Sequence, residues 1–350
     1  MISLKCKSGR ITNKQIRHKR KEAEILKFAT IGTSWITTSF IAAAKKTNAA
    51  NPYAVYSRSE EKAKRFAEEN GAETWFNDID RLLETPVDFV YIASPNSMHV
   101  EQILKAIEKG KHVFCEKPLV YTEKQWQRVK DAAQKHHVFV FEGFRHLYSP
   151  NYTRLREALA EIGQIRSVLL QYVQYSSRYD AFKDGRVPNV FTKDYAGGAL
   201  MDLGVYPLSM AIDLFGEPLD IDYFPVLLDN GVDGSGTLVL TYQRFYVTIL
   251  CSKIAQATIP SEIHGEAGTL TVDHIAPITT LTLYDRKTND QKHLQQKQDA
   301  LDMVYELQAF VRMVEENDTA SYAAWMERSR QVAKWSEKAR HKRGIRFPGE

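Results

Sequence analysis

From residue 26 to about 142 the chain alternates short apolar runs with stretches of helical period, and this alternation is the tightest constraint on its fold. "LKFATIG", "NPYAVYSRS", "VDFVYIAS", "HVFCEKP" and "VFVFEGF" read as strands. Between them "WITTSFIAAAKK", "EEKAKRFAEENG", "HVEQILKAIEKG" and "TEKQWQRVKDAAQKH" read as helices. Gly71 offers a C-cap, Gly110 a helix stop and Thr122 an N-cap. Strands separated by helices of about 10 to 15 residues form βαβ units, and so a parallel, doubly wound sheet of Rossmann type.

The second half has a different rhythm. "IRSVLLQYVQY", "DIDYFPVLLD", "GTLVLTYQ", "FYVTILCS", "SEIHGEAGTLTVD" and "TLTLYD" are alternating strands set off by turn residues, with one strong helix at about 199–215. Such a run predicts an α+β domain around a large, mainly antiparallel sheet, and a face of that sheet left open would be a natural oligomer surface. Two helical stretches close the chain and are expected to pack back toward the first sheet. At 350 residues there is enough chain for two cores. The expected division is a basic extension (1–25), a dinucleotide-binding domain (26–145) and a substrate and oligomerisation domain (146–350).

The net charge is +4, and residues 1–21 carry eight Lys or Arg with no acid before Glu22. The remaining body is close to neutral, so a solvated basic tail is expected rather than a nucleic-acid-binding fold. No apolar run approaches the roughly 18 residues of a membrane span. Cys6, Cys115 and Cys251 are scattered and form no CxxC. That usage suits a reducing, cytoplasmic setting without a disulfide framework or a metal site.

The first strand runs into Gly32-Thr33-Ser34-Trp35-Ile36-Thr37. Of the three glycines in a dinucleotide fingerprint only the first is kept, the one that permits the tight turn. Ser34 is small enough to admit a phosphate, and the helix amides that follow favour an anion. At the end of the second strand stand Ser57 and Arg58, where an NAD enzyme usually has an acid that holds the ribose 2′-hydroxyl. An arginine beside a hydroxyl can grip a 2′-phosphate, which points to NADP(H) over NAD(H).

Three further stretches lie where a ligand would meet the sheet. Ser94-Pro95-Asn96 and His99 follow a buried strand at its carboxyl edge. Glu116 and Lys117 end another strand, and Pro118 holds Lys117 extended. Asp202 and Tyr206, four apart on the predicted helix, share one of its faces. Taken singly, each stretch also has an ordinary structural reading.

Together, Glu116-Lys117-Pro118, "SPNSMH", "GGALMDLGVY", "GEAGTLTV" and the closing "GIRFP" resemble the glucose–fructose oxidoreductase/inositol dehydrogenase (Gfo/Idh/MocA) family, from about residue 26 onward. The resemblance implies a Rossmann domain followed by an α/β domain whose open sheet drives oligomerisation, into a homodimer or homotetramer. It also implies that Lys117 contacts nicotinamide and substrate, with Asp202 and Tyr206 completing the site. Tyr206 stands where many members have histidine, as in the glucose–fructose oxidoreductase and dimeric dihydrodiol dehydrogenase branches. The expected reaction is hydride transfer between nicotinamide and a secondary alcohol or carbonyl of a sugar, polyol or diol. In it Tyr206 moves the hydroxyl proton, the Lys117 ammonium favours the phenolate, and Asp202 orients both. Arg178, Tyr179 and Lys193 are candidate substrate contacts, and the sequence leaves open whether His146 lines the pocket. A dinucleotide-sensing regulator without turnover uses the same fold, but would have no need of a proton donor.

Overall fold

The computed structural model describes residues 25–350. The basic segment up to residue 24 and Cys6 lie outside the described residues.

The first half is built as β1 (Leu26–Ile31), α1 (Trp35–Thr47), β2 (Ala50–Tyr56), α2 (Glu60–Asn70), β3 (Thr74–Phe76), α3 (Ile79–Leu83), β4 (Phe89–Ile92), α4 (His99–Glu108), β5 (His112–Glu116), α5 (Glu123–His136) and β6 (Val140–Gly143). The six strands form one parallel sheet in the order β3-β2-β1-β4-β5-β6. Local chemistry sets the helix ends. Ser59 caps α2, which closes on Gly71 at φ +68°, and Thr122 accepts from the Gln125 amide at 3.1 Å to open α5. β3 and α3 are too short to show a period, and the sequence pattern passes over both.

Alternate residues of the strands feed two cores. Phe28, Phe89, Tyr91 and Phe114 pack with Phe40 of α1 and Phe66 of α2, whereas Ala29, Val90, Ile92 and Val113 pack with Ile103 of α4 and Val129 of α5. Burial on both faces is what makes these strands read as continuous apolar runs.

After α6 (Pro150–Ala158) come β7 (Ile165–Val173), the short α7 (Tyr179–Lys183), a π-helical turn at Leu200–Gly204 and α8 (Val205–Phe215). There follow β8 (Asp220–Leu227), β9 (Asp233–Thr241), β10 (Tyr246–Ser252), β11 (Ser261–Gly265), β12 (Gly268–Val272), β13 (Leu281–Asp285) and β14 (Gln291–His293). These strands make an eight-stranded sheet in the order β14-β13-β12-β11-β7-β10-β9-β8. Every pairing is antiparallel except β7 with β10. "SEIHGEAGTLTVD", read above as one strand, is a hairpin that turns at Glu266-Ala267. Gly265 cannot be replaced there, because a Cβ would lie 2.1 Å from the Ile162 carbonyl oxygen.

The inner face of this sheet, with Ile221, Leu238, Val247 and Ile263, is covered by α8 and by Val332 and Trp335 of the last helix. The opposite face leaves Phe224, Val226 and Tyr246 exposed. Helices α9 (Met303–Glu316) and α10 (Thr319–His341) return to the first sheet. Phe310 of α9 lies edge-on to Phe89 at 5.0 Å, and Met326 and Ala333 of α10 join the opposite core. The stretch Lys193–Phe215 has the length and apolar composition of a membrane span, against the sequence reading, yet 72% of that apolar window is buried inside the fold.

Candidate active site

A cleft of about 960 Å³ runs between the carboxyl edge of the first sheet and the second sheet. One end is the β1–α1 turn. Gly32 has φ +122°, and a Cβ there would meet the Ala93 carbonyl oxygen at 2.7 Å, so this position requires glycine. Ser34 is the N-cap of α1 but makes no side-chain cap bond, and the first turn of α1 carries no acid. Amide groups and a free hydroxyl therefore face the cleft, the arrangement an anion needs. Thr33, Trp35 and Ile36 line the same end, and Trp35 is 67% exposed. Thr37 is fully buried against the sheet.

Ser57 and Arg58 border the cleft at the exit of β2, and so does Lys62, which the sequence reading missed. Lys62 stands in the first turn of α2, four residues after Arg58, and that nearness to the strand exit was the available signal. No carboxylate from this strand exit lines the cleft.

The loop at 94–99 is fixed from several sides. Ser94 donates to Gln102 at 2.6 Å, and Asn96 donates to the Ala196 carbonyl at 2.9 Å across to the second half. His99 is fully buried, with one ring nitrogen 2.9 Å from the Ser94 carbonyl and the other 2.9 Å from that of Pro118. It ties this loop to the one bearing Lys117. Pro95, His99 and Glu116 all border the cleft, and Glu116 accepts from the Tyr91 hydroxyl at 2.7 Å. Burial raises the Glu116 carboxyl.

Lys117, Asp202 and Tyr206 meet at the other end. The Lys117 ammonium donates to the Asp202 carbonyl oxygen at 2.6 Å and to Oδ1 at 3.1 Å, and it sits 4.7 Å from the centre of the Tyr206 ring. Asp202 lies in the π-helical turn, a wide turn of the kind that recurs at functional sites. Pro207 lacks the N–H that a regular helix would direct at the Leu203 carbonyl. A second lysine completes the group: Lys253, just past the end of β10, pairs with Asp202 Oδ2. The sequence reading missed it, although it stands directly after the apolar run "FYVTILCS", much as Lys117 stands after "HVFCE".

The charges follow from this packing. Burial alone would raise the Asp202 carboxyl, but Lys253 and Lys117 outweigh it and hold it far below the usual range. Burial would likewise lower the Lys117 ammonium, yet Tyr206, Asp202 and Glu116 push it up. Tyr206 behaves otherwise than expected. Lys117 and Arg145 do pull its phenol down, but burial is larger and raises it to about 12.

Around Tyr206 stand further residues that the sequence did not single out. Tyr172 of β7 lies 5.3 Å away between ring centres, and His274 packs edge-on to Tyr172 at 4.9 Å. Arg145 borders the cleft and pairs with Asp302 at 3.1 Å. His146 does not line the cleft. It is fully buried behind Tyr206 and bonded to the Tyr206 carbonyl at 3.1 Å. Of the expected substrate contacts, Arg178 borders the cleft. Tyr179 belongs instead to an aromatic group with Tyr175, Phe182 and Phe191, and Lys193 reaches toward Gly231, so neither lines it. Among the described residues no group of three or more His, Cys, Asp or Glu is placed to hold a metal.

Residues 26–144 match the model of the Gfo/Idh/MocA oxidoreductase family with NAD-binding Rossmann fold, and residues 152–271 match a Gfo/Idh/MocA C-terminal domain. The chain belongs to the Gfo/Idh/MocA family. It is accordingly an oxidoreductase. Within the family it is 38% identical to the scyllo-inositol 2-dehydrogenase (NADP(+)) IolU of Bacillus subtilis, over 93% of this chain and 99% of that one. It is 29% identical to a trans-1,2-dihydrobenzene-1,2-diol dehydrogenase of Xenopus tropicalis, over 60% and 62% respectively. The solved structure of KijD10, a 3-ketoreductase from Actinomadura kijaniata in complex with NADP and TDP-benzene, superposes with a TM-score of 0.79 at 26% identity. That match covers 91% of this chain and 98% of the other.

Proposed function

We propose that this family member is an NADP(H)-dependent dehydrogenase or reductase acting on a secondary alcohol or carbonyl of a sugar, polyol or diol. One observation carries the reading: a single cleft joins a phosphate-type turn and Arg58 at one end to Lys117, Asp202 and Tyr206 at the other. The lining suits a phosphorylated dinucleotide, since the first turn of α1 carries no acid, Ser34 makes no side-chain cap bond, and the exit of β2 presents Arg58 and Lys62 with no carboxylate. Gly32, Ser34 and the α1 amides would hold the pyrophosphate, Ser57, Arg58 and Lys62 the 2′-phosphate, and the loop at 94–99 with Glu116 the nicotinamide half. When bound, the cofactor supplies the hydride acceptor or donor.

The protein supplies the proton and the field. With its phenol raised to about 12, Tyr206 is protonated at neutral pH and poised to donate to a carbonyl oxygen. In the oxidative direction its phenolate, the minor form at neutral pH, would take the substrate hydroxyl proton, so oxidation should quicken as pH rises. Lys117 stabilises negative charge on that oxygen. Asp202 holds the Lys117 ammonium in place and can accept from a neighbouring substrate hydroxyl. Arg178, Tyr172 and His274 border the space left for the rest of the substrate.

The reading extends to assembly and setting. The chain divides near residue 145. It is a homodimer or homotetramer joined through the outer face of the eight-stranded sheet, a reading supported by exposed Phe224, Val226 and Tyr246. It works in the cytoplasm, in keeping with the buried free thiols Cys115 and Cys251.

The test is a titration with NADPH and, separately, NADH, read by Trp35 and nicotinamide fluorescence, followed by turnover assays with scyllo-inositol, D-xylose and a dihydrobenzenediol. Tighter NADPH binding and turnover of one of these is the expected result. A preference for NADH would remove Arg58 from the account, and binding of neither would sink the dehydrogenase reading.

A further inference from the structure

Asp202 is shared between two lysines that reach it from different sheets. Lys117 leaves the carboxyl end of β5, and Lys253 leaves that of β10. The parallel pairing of β10 with β7 sets Cys251 opposite Tyr172, so the exit of β10 opens beside the wall of the cleft that carries Tyr172. Lys253 is 1% exposed, borders the cleft, and places its ammonium 4.9 Å from the centre of the Phe191 ring. Its backbone is pinned on both sides, its N–H donating to the Gly234 carbonyl at 2.9 Å and its carbonyl accepting from the Ser176 N–H at 2.9 Å. A lysine this deeply enclosed carries a desolvation penalty that a purely structural contact could avoid with an apolar side chain.

Its effect shows in the charge count. Lys117 and Asp202 alone would form a neutral pair. With Lys253 protonated the group carries one net positive charge; burial lowers that ammonium and Asp202 opposes the fall, while the share of Asp202 available to Lys117 drops to one oxygen and a carbonyl. We propose that Lys253 is a positioning residue of the reaction, which clamps Asp202 Oδ2 and so leaves the Lys117 charge uncompensated toward the reacting oxygen. This rests on the dehydrogenase reading above.

Other charges bear on Tyr206. They are Glu116 at the end of β5 and Lys117 just after it, Arg145 and His146 beyond β6, Tyr172 from β7, and Asp202 on the adjoining π-helical turn. Lys253 itself faces Asp202, Lys117 and Asp233 of β9. Removing Lys253 restores the neutral pair and weakens the positive field at the phenol, so Tyr206 should titrate higher.

The experiment needs no known substrate. The full chain is labelled with 3-fluorotyrosine, and the Tyr206 resonance is identified by its loss in Tyr206→Phe. Its pH titration is then followed by fluorine NMR in wild type, Lys253→Met, Lys253→Gln and Lys253→Arg. Lys253→Gln keeps a donor for Asp202 without the charge. It should move the midpoint up by about one pH unit, as Lys253→Met should, while Lys253→Arg stays near wild type. In parallel, turnover of scyllo-inositol with NADP(+) should fall roughly 10- to 100-fold in Lys253→Gln and recover in Lys253→Arg, with NADPH affinity changed less than about threefold. An unmoved midpoint in folded, NADPH-binding Lys253→Gln overturns the proposal, whatever happens to turnover. A wild type that turns over none of the polyols but shows the shift counts against the substrate reading and leaves Lys253 as assigned.

Discussion

Lys117 and Asp202, 85 residues apart in the chain, meet through two contacts: the ammonium lies 2.6 Å from the aspartate's carbonyl oxygen and 3.1 Å from Oδ1. The first holds the lysine to the backbone of the π-helical turn, and the second to a carboxylate already engaged by Lys253. The lysine is thus fixed without being neutralised.

Replacing Lys117 by alanine should remove that charge without touching the phosphate end of the cleft. Turnover is expected to fall by roughly 10² to 10⁴, with NADPH affinity within about threefold of wild type. Tyr206→Phe should do the same. Steady-state kinetics beside a fluorescence titration separate the two effects, and near-native turnover in Lys117→Ala would remove it from the mechanism.

Arg58→Glu tests cofactor choice. A carboxylate at this strand exit repels a 2′-phosphate, so NADPH should bind roughly 10- to 100-fold more weakly while NADH changes little. Equal losses for both cofactors would show that Arg58 supports the loop rather than reads the phosphate.

Gly32→Ala places a Cβ 2.7 Å from the Ala93 carbonyl oxygen at a backbone φ of +122°. A cost on the order of 2 to 4 kcal/mol is expected from chemical denaturation, together with weakened binding of both cofactors.

Glu142 gives a pH prediction. Burial pushes its carboxyl up to about 7, against the pull of the Leu119 amide, which donates to it at 2.8 Å, and of Arg328. A carboxyl raised on folding binds its proton more tightly in the native state. Its stabilising contribution is therefore present below the unfolded value near 4.5 and is lost as pH rises to about 7. Glu142→Gln keeps an acceptor for Leu119 without the ionisation. Relative to wild type it should gain about 1 to 3 kcal/mol between pH 4.5 and pH 8 in denaturant titrations.

The outer face of the large sheet can be tested by charge. Phe224 and Val226 are 54% and 55% exposed, and carboxylates there cost little in an isolated chain. Phe224→Asp with Val226→Asp should lower the mass seen by sedimentation while the dissociated chain keeps the wild-type circular dichroism spectrum. An unchanged mass would place the interface elsewhere.

The sequence by itself determined the architecture. Apolar runs alternating with amphipathic helices read as a parallel sheet under helices, and alternating runs as a sheet with one covered side. Gly32, Thr122, Lys117 and the Asp202–Tyr206 spacing were also legible, because each depends on neighbours only a few residues away. β3 was too short to carry a period, and the hairpin at Glu266-Ala267 was masked by the alternation on either side. What the tertiary structure alone decided was who meets whom and at what charge. The parallel pairing of β7 with β10 brings Lys253 to Asp202, and the return of α9 gives Arg145 its partner Asp302. Tyr206 was expected to yield to Lys117, yet its phenol is raised. Proximity to a cation can be guessed from a motif, but desolvation depends on the whole fold closing around the ring, and here desolvation is the larger effect.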